Sequence, residues 1–535
     1  MLPALKKYDW AAVVLLVVAF AAILHAALPY IADTDSFYHI RHSAIYRESG
    51  IGQSAFPWAQ YSVVNRYSAD IWYGFHILLL PLTLLADLVK AIELGAFLTT
   101  VASLLAVYLA FRLLKLKWPL LWLAIFTVAT ADLLYRLAML RPHPFSLALT
   151  LLLFALLHRH DIKRGLIFVF IVAAAFSWIH LALSWVPILT LLAVILFQLL
   201  QKAGLPRLTG FSKAGFDWQK ITALFAGLAA GWLLRPNPLG AAKIAYVQVV
   251  QLLLEKQSEL PLRFGRELLP FVWENFIDQL IPITILLLTA LGYLAWLIKN
   301  KKLGAMPADT KAAAWSSLAL CLIFLSLTFG VARRSNEFFI GFGVIFIGLL
   351  FTHYRSGHET LQRPASWQSA LVMIIAAIAL IYMPLKTWYR FESYAAGAFR
   401  PHRFQEVSGW LKNNSAPGEI IFNIHWDRFG QLFFWNPQNY YINGMDPIFQ
   451  YAFDPALYWK THFYAIDAGT AFTCEQVRCT AEETVSTYGV LKNDFRASYL
   501  VVEKRRSPNF YEYLSGAKEY QKVFEVEEEA LFRIK

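Results

Sequence analysis

The apolar run at 10–32, WAAVVLLVVAFAAILHAALPYIA, is followed directly by DTDSFYHIR at 33–41, and this junction decides how the rest of the chain is interpreted. The apolar part is long enough to cross a bilayer. Lys6 and Lys7 precede it, and many more apolar runs follow, which favours a retained transmembrane helix over a cleaved signal peptide. The polar part begins an external loop that carries two carboxylates, a histidine and an arginine.

The composition agrees with repeated membrane spans. Hydrophobic residues make up 58% of the 535 residues and charged residues 16%, and the mean hydropathy is +0.47. Soluble domains contain about a quarter charged residues. The net charge of +12 comes from short basic clusters between apolar runs, which are typical of topology signals and predict no nucleic-acid partner.

Apolar runs predict about eleven transmembrane helices in a polytopic α-helical protein. The runs after the first lie at 92–112, 118–137, 144–158, 165–181, 183–200, 220–235, 279–298, 312–331, 337–354 and 367–386. The stretch at 71–89 is also apolar, but counting it as a span would place all later basic clusters outside the cell. We therefore predict that it lies in, or dips into, the membrane interface.

The basic clusters predict the orientation, because Lys and Arg accumulate on the cytoplasmic side. With an odd number of spans they all fall on one side, so the N-terminus is expected in the cytoplasm and the C-terminal part in the periplasm or outside. The clusters are Lys6/Lys7, Arg112/Lys115/Lys117, Arg159/Lys163/Arg164, Lys202/Arg207/Lys213/Lys220, Lys299/Lys301/Lys302 and Arg355/Arg363. The domain prediction is a transmembrane part at 1–386, with long external loops at 33–91 and 236–278, and an extracytoplasmic domain at 387–535.

The C-terminal domain is predicted to be α/β. Short β-branched runs predict strands at 419–424 and 499–503, a helix is expected at 404–413, and 523–534 is typical of a closing hairpin. Cys474 and Cys479 either form a disulfide in an oxidising compartment or remain free thiols. Cys321 lies inside an apolar run and is expected to be a core residue.

The first external loop carries the candidate catalytic residues. Asp33 and Asp35 are two residues apart, so a turn lets both reach one cation or one proton-transfer site. If the stretch is helical, Asp35 and His39 share a face. A helix cap followed by a solvated loop is the plainer interpretation.

An acidic pair at the outer end of the first transmembrane helix resembles the GT-C superfamily of membrane glycosyltransferases. The segment at 35–41, DSFYHIR, resembles the D-x-x-(Y/F)-x-x-R signature of the oligosaccharyltransferase catalytic subunit, although the W-W-D-Y-G motif of that family is absent. The resemblance implies a GT-C-like fold. It also implies a role for Asp35 in catalysis or in binding a divalent metal such as Mg²⁺ or Mn²⁺, with Asp33 supporting.

Other external loops supply candidate substrate-binding residues. Arg136 and Arg141 flank one short predicted external loop, and Arg333 and Arg334 lie at another. Arginines at the outer surface either snorkel to headgroups or bind an anion such as phosphate, for which the guanidinium geometry is suited. Glu267 is the candidate second carboxylate. The residues predicted to bind phosphate and sugar are His39, Arg41, Arg141, His143, Glu267, Arg333, Arg334 and Glu337.

These observations lead to a functional hypothesis. The protein is expected in the plasma (inner) membrane, transferring a sugar in an inverting reaction from a polyprenyl-phosphate-linked donor to a glycan, lipid or protein acceptor of the cell envelope. Membrane lipids are the other expected partners. The alternatives are protein glycosylation of the oligosaccharyltransferase type, a transporter or flippase of lipid-linked glycans, and a membrane assembly protein.

Overall fold

The computed structural model describes residues 7–159, 164–202, 217–257, 261–357 and 367–535, which divide into two compact units. The helical unit consists of Met1–Pro29, Ala96–Trp232 and Arg266–Gly397. The mixed unit consists of Tyr30–Gly95, Leu233–Gly265 and Ala398–Lys535. The loop at 33–91, which the sequence predicts to be external, therefore lies in the same unit as the C-terminal residues. The predicted domain boundary at 386/387 stays a prediction. Of the predicted basic clusters, Lys6, Lys163, Arg207, Lys213 and Arg363 lie outside the described residues.

The helical unit is built from apolar helices. Its longer α-helices are Lys7–Ala26, Pro119–Thr127, His143–His158, Gly165–Ile179, Trp185–Lys202, Trp218–Leu233, Ile281–Lys299, Ala308–Gly330, Asn336–Gly357 and Trp367–Ala395. Leu88–Leu113 begins in the mixed unit and continues into this one. Shorter helical segments are Ala131–Leu137, Leu181–Leu183, Arg266–Leu268, Trp273–Asn275, Phe276–Leu280, Lys302–Ala305 and Arg333–Ser335.

Within the described residues, five helices are long and apolar enough to cross a membrane. They are Leu88–Leu113, Leu181–Leu200, Trp273–Lys299, Ala308–Gly330 and Arg333–Tyr354. Shorter apolar helices are Trp10–Ala26, Tyr73–Leu84, His143–His158 and Gly165–Ile179. Several predicted spans thus appear as shorter helices, and Tyr73–Leu84, within the ambiguous 71–89 stretch, is too short to span a bilayer.

The sequence predicts a single membrane span at 118–137, but the structure divides this run into two helices. It consists of Pro119–Thr127 and Ala131–Leu137, which are bent by 98° at the break between them. The side chain of Thr130 caps the second helix by accepting a hydrogen bond from the backbone N–H of Leu133 at 3.2 Å. A local capping residue inside an apolar run therefore starts a new helix, which hydropathy does not detect.

Close helix packing stabilises the helical unit. Phe126, Phe154 and Phe324 are fully buried in its core, and Cys321 is buried as predicted. At Gly231, an added Cβ would clash with the backbone carbonyl of Ala174, so the helix Trp218–Leu233 approaches Gly165–Ile179 backbone to backbone. Small residues commonly allow this approach in membrane proteins.

The mixed unit combines the first loop with the C-terminal residues. Its helices from the loops are Asp35–Ser49, Val63–Tyr67, Tyr73–Leu79, Leu80–Leu84, Pro238–Tyr246, Val247–Gln251 and Leu252–Gln257. Its C-terminal helices are Gln405–Asn414, Trp426–Arg428, Phe429–Trp435, Pro447–Tyr451, Pro455–Ala465, Ala481–Glu483, Thr487–Gly489, Val490–Asp494 and Pro508–Gly516. The predicted helix at 404–413 is thus observed at Gln405–Asn414.

Two sheets complete the mixed unit. The strands are β1 (Ile420–Asn423), β2 (Tyr440–Tyr441), β3 (Phe472–Thr473), β4 (Val485–Ser486), β5 (Ala497–Glu503), β6 (Tyr520–Glu525) and β7 (Glu529–Ile534). The larger sheet has the order β2-β1-β5-β7-β6, with β2, β1 and β5 parallel and β7 antiparallel to both neighbours. β3 and β4 form an antiparallel pair. The predicted strands and the closing hairpin are therefore confirmed.

The first loop covers the β2 edge of the large sheet. The backbone N–H of Tyr441 donates to the carbonyl of Trp58, and the N–H of Gln60 donates to the carbonyl of Tyr441, both at 2.8 Å. These bonds occupy backbone groups that an open edge strand would expose. Elsewhere in the unit, Cys474 and Cys479 form a disulfide with a Cα–Cα distance of 5.9 Å.

Candidate functional site

The acidic pair of the first loop lies at the start of a helix. Asp35 is the first residue of Asp35–Ser49 and is half-buried, in the first turn where the helix dipole favours an anion. Asp33 precedes the helix, is buried, and accepts a hydrogen bond from the hydroxyl of Ser36. The predicted helical arrangement is therefore present, which places Asp35 and His39 on one face.

His39 and Arg41 leave the same helix in different directions. His39 is buried, and its Nδ1 is 2.8 Å from Nε2 of His76. Arg41 donates from Nε and Nη2 to the backbone carbonyl of Phe434, at 3.0 and 2.8 Å, and also stacks near the Phe434 ring. Arg41 thus contacts the C-terminal part of the mixed unit, and its predicted role in substrate binding stays a prediction.

Sequence reasoning missed a cluster of metal-ligand side chains in the same unit. His42, Asp70 and His76, here called the His–Asp cluster, are all buried, and one ligand atom from each lies within 4.8 Å of the others. Nδ1 of His76 is 2.6 Å from Oδ2 of Asp70, and the rings of His42 and His76 are 4.4 Å apart. The available signals were the pair His39 and His42, one helical turn apart, and the polar residues within the apolar 71–89 stretch.

Electrostatics couples the members of the His–Asp cluster. Burial opposes ionisation of Asp70, but the nearby His76 and His42, with hydrogen bonds from His76 and the backbone N–H of Trp72, hold its pKa well below the usual value. Burial, aided by the proximity of His76, lowers the pKa of His42 to about 3. The carboxylate of Asp70 is therefore ionised and the imidazole of His42 neutral near pH 7, which is the form of each group that binds a metal.

In the helical unit, four of the predicted substrate-binding residues come together around Arg136, which the sequence places at the same predicted external loop as Arg141. Arg136 pairs with Glu337 at 2.5 Å and with Glu267 at 3.2 Å. Arg141 pairs with Glu267 at 3.0 Å, and His143 contacts the carboxylate of Glu337. We call these five residues the Arg–Glu cluster.

The two predicted arginines at 333 and 334 differ in their surroundings. Arg333 makes a bidentate ion pair with Asp132, with N···O distances of 2.5 and 2.7 Å, and donates to the hydroxyl of Tyr394 at 2.8 Å. Arg334 is half-buried near the Arg–Glu cluster. Burial opposes ionisation of Glu267, but Arg141, Arg136 and Arg334 hold its pKa well below the usual value.

The charges of this region favour an anion. Arg136, Arg141 and Arg334 carry three positive charges against the two carboxylates of Glu267 and Glu337. A partly buried excess of positive charge attracts a phosphate more strongly than the same charges in water, because the local dielectric is low. The Arg–Glu cluster belongs to the helical unit and the acidic pair to the mixed unit.

Comparison with solved structures shows that the chain has a GT-C-like fold. ArnT from Cupriavidus metallidurans in the apo state matches with a TM-score of 0.54 and 11% identity, over 98% of each chain. The Archaeoglobus fulgidus oligosaccharyltransferase, in complex with Zn and sulfate, matches with a TM-score of 0.50 and 12% identity, over 95% of this chain and 71% of that one. The Cupriavidus ArnT bound to undecaprenyl phosphate gives a TM-score of 0.47 at 11% identity, over 98% of each chain.

No protein-family model matches the chain, and no curated protein matches it in sequence. At such low identities the likeness to solved structures shows the fold, and the chemistry has to be argued from the residues.

Proposed function

We propose that the protein is a GT-C-type glycosyltransferase that transfers a sugar from a polyprenyl-phosphate-linked donor to an acceptor at the extracytoplasmic face of the plasma (inner) membrane. The observation that carries the proposal is the GT-C fold over 98% of the chain. Two features of the residues support it: Asp35 at the start of the helix that follows the first apolar helix, and the excess positive charge around the Arg–Glu cluster.

A lipid-linked donor fits both the compartment and the fold. Nucleotide sugars are made in the cytoplasm, so an enzyme acting on the outer face needs a sugar carried across the membrane on a lipid. Apolar helices can hold a prenyl tail within the bilayer, because both are apolar and associate there through van der Waals packing. The phosphate of the donor would bind Arg141 and Arg334 of the helical unit, because an arginine pairs with phosphate oxygens through two N–H groups at once.

In the proposed reaction Asp35 is the general base, and Asp33 supports it. The carboxylate of Asp35 takes the proton from the acceptor hydroxyl, whose oxygen forms a bond to the anomeric carbon of the sugar. The bond between that carbon and the phosphate oxygen breaks, and polyprenyl phosphate leaves with the electron pair. The added negative charge on the departing phosphate has to be stabilised by nearby positive charge. Attack from the side opposite the phosphate inverts the anomeric carbon.

The divalent metal implied by the GT-C resemblance does not enter this scheme. Among the described residues, neither Asp33 nor Asp35 belongs to a group of three metal-type ligands, and the carboxylate of Asp33 is engaged by Ser36. A metal at Asp35 stays a prediction.

The test compares lipid-linked and surface glycans by mass spectrometry in a deletion strain of the source organism. The deletion is complemented with wild type, Asp35→Asn, or the control Glu48→Gln, which removes an exposed charge at the far end of the same helix. We expect wild type and Glu48→Gln to restore the missing sugar, and Asp35→Asn to leave it missing at normal protein levels. Restoration by Asp35→Asn would refute the proposed base.

The mass change also separates the alternatives. A new mass on peptides, in place of a glycan or lipid, would identify protein glycosylation, as in the oligosaccharyltransferase neighbour. If a complete lipid-linked glycan accumulates on the cytoplasmic face of the deletion strain with no sugar missing, a flippase replaces the transferase. If the envelope of the deletion strain contains every glycan of the wild type, an assembly role replaces both the transferase and the flippase.

A further inference from the structure

We propose that the mixed unit binds a zinc-type transition-metal ion at the His–Asp cluster, through His42, Asp70 and His76. Two imidazoles and one carboxylate form a donor set typical of zinc, whereas Mg²⁺ and Ca²⁺ prefer oxygen ligands alone. The three side chains are 5%, 7% and 0% exposed, and their ligand atoms lie within 4.8 Å of one another. This site is separate from Asp35, and it does not depend on the proposed reaction.

The neighbours of the cluster orient its ligands. Nδ1 of His42 is 2.9 Å from the hydroxyl of Tyr38, which leaves Nε2 for a metal. Nε2 of His76 is 2.8 Å from Nδ1 of His39, which leaves Nδ1. Metal-binding histidines in proteins are usually held in this way, with the second ring nitrogen hydrogen-bonded to a neighbour.

The carboxylate of Asp70 is oriented in the same manner. Its Oδ1 accepts the backbone N–H of Trp72 at 2.8 Å, so Oδ2 faces the imidazoles. Oδ2 also accepts the hydroxyl of Tyr46 at 3.0 Å. Arg235 donates to the backbone carbonyl of Asp70 at 3.0 Å.

Metal binding requires only a small local movement. Oδ2 of Asp70 and Nδ1 of His76 are 2.6 Å apart, within hydrogen-bond distance. Donor atoms on a tetrahedral zinc ion are about 3.3 Å apart, so these two atoms would separate by less than about 1 Å. The proton on Nδ1 would leave to the buffer as the metal–nitrogen bond forms, and a water molecule would complete the coordination.

Such an ion would connect three parts of the first loop. His42 lies on the helix Asp35–Ser49, Asp70 on the segment after Val63–Tyr67, and His76 on the helix Tyr73–Leu79. Other contacts already join these segments: the hydroxyl of Ser43 donates to the backbone carbonyl of His76 at 2.8 Å, and the rings of Tyr46 and Tyr73 are 5.5 Å apart. The metal would add a further link between the helix that presents Asp35 and the two later segments of the loop.

The experiment measures metal in the full-length protein, purified in detergent through an affinity tag without histidine. After incubation with zinc chloride and removal of excess metal, elemental mass spectrometry should find about one zinc ion per chain. His42→Ala and Asp70→Asn should lose it. His402→Ala, which removes an exposed histidine of the C-terminal domain, should retain it.

A second measurement does not depend on the variants folding. X-ray absorption at the zinc edge of the wild-type protein should show imidazole and oxygen ligands, without sulfur. A wild-type protein that takes up no zinc would overturn the proposal and leave these residues as a metal-free hydrogen-bond network. Zinc retained by the folded variants, or a coordination shell containing sulfur or oxygen alone, would also overturn it.

Discussion

Replacing Glu337 by glutamine tests whether the Arg–Glu cluster holds the helical unit together. Glu337 is 1% exposed and contacts both Arg136, at 2.5 Å, and His143. The substitution keeps the size of the side chain but removes the charge. Arg136, whose side chain is 10% exposed, would keep Glu267 as its partner at 3.2 Å.

The magnitude follows from this burial. Removing one partner of a buried ion pair typically costs 3–5 kcal/mol, and because Glu267 and the amide oxygen compensate in part, we expect a cost of about 3 kcal/mol. For a large domain about 2 °C is lost per kcal/mol, so the apparent melting temperature should fall by about 6 °C.

The assay is intrinsic tryptophan fluorescence during heating of the detergent-purified protein, at one fixed scan rate because unfolding of membrane proteins is often irreversible. Asp309→Asn is the matched control, since it removes an exposed carboxylate from the first turn of the helix Ala308–Gly330. We expect little change for the control. Equal melting temperatures for Glu337→Gln and the control would refute the structural role assigned to the cluster.

Two other changes test the mixed unit. A Cβ at Gly430 would clash with the backbone carbonyl of Thr34, so Gly430→Ala should destabilise the protein by about 1–3 kcal/mol. Gly409→Ala, at a helical glycine with open space around it, should be neutral or stabilising in the same thermal assay. Replacing both Cys474 and Cys479 by serine should cost about 2 kcal/mol, given the short loop that they close. Peptide mapping without reductant should find the two cysteines linked in the wild type, and free thiols there would contradict the disulfide.

Local sequence patterns predicted many of the elements correctly. The β-branched runs located β1 and β5, and the hairpin of β6 and β7 followed from the run at 523–534. These predictions succeed because side-chain preference and turn chemistry act over a few neighbouring residues. The bend between Pro119–Thr127 and Ala131–Leu137 was missed, since average hydropathy is the same for a straight and a broken apolar run.

The sequence identified the residues of the Arg–Glu cluster as candidates, but it did not predict which of them pair with each other. Arg141, Glu267 and Glu337 were selected because charged residues between membrane spans need an explanation. Nothing local indicated that Arg136 would join Glu267 and Glu337, which lie 131 and more residues further along the chain. Only helix packing brings these side chains together.

The amino-acid sequence by itself determined the class of protein. Long apolar runs predict membrane-spanning helices, because a helix satisfies its own backbone N–H and C=O groups where the bilayer offers no water. It also showed which acidic residues follow the first apolar run. The tertiary structure alone decided which ionisable side chains meet. His42, Asp70 and His76 belong to separate segments of one loop, and their approach depends on how those segments pack, a property that no local pattern records.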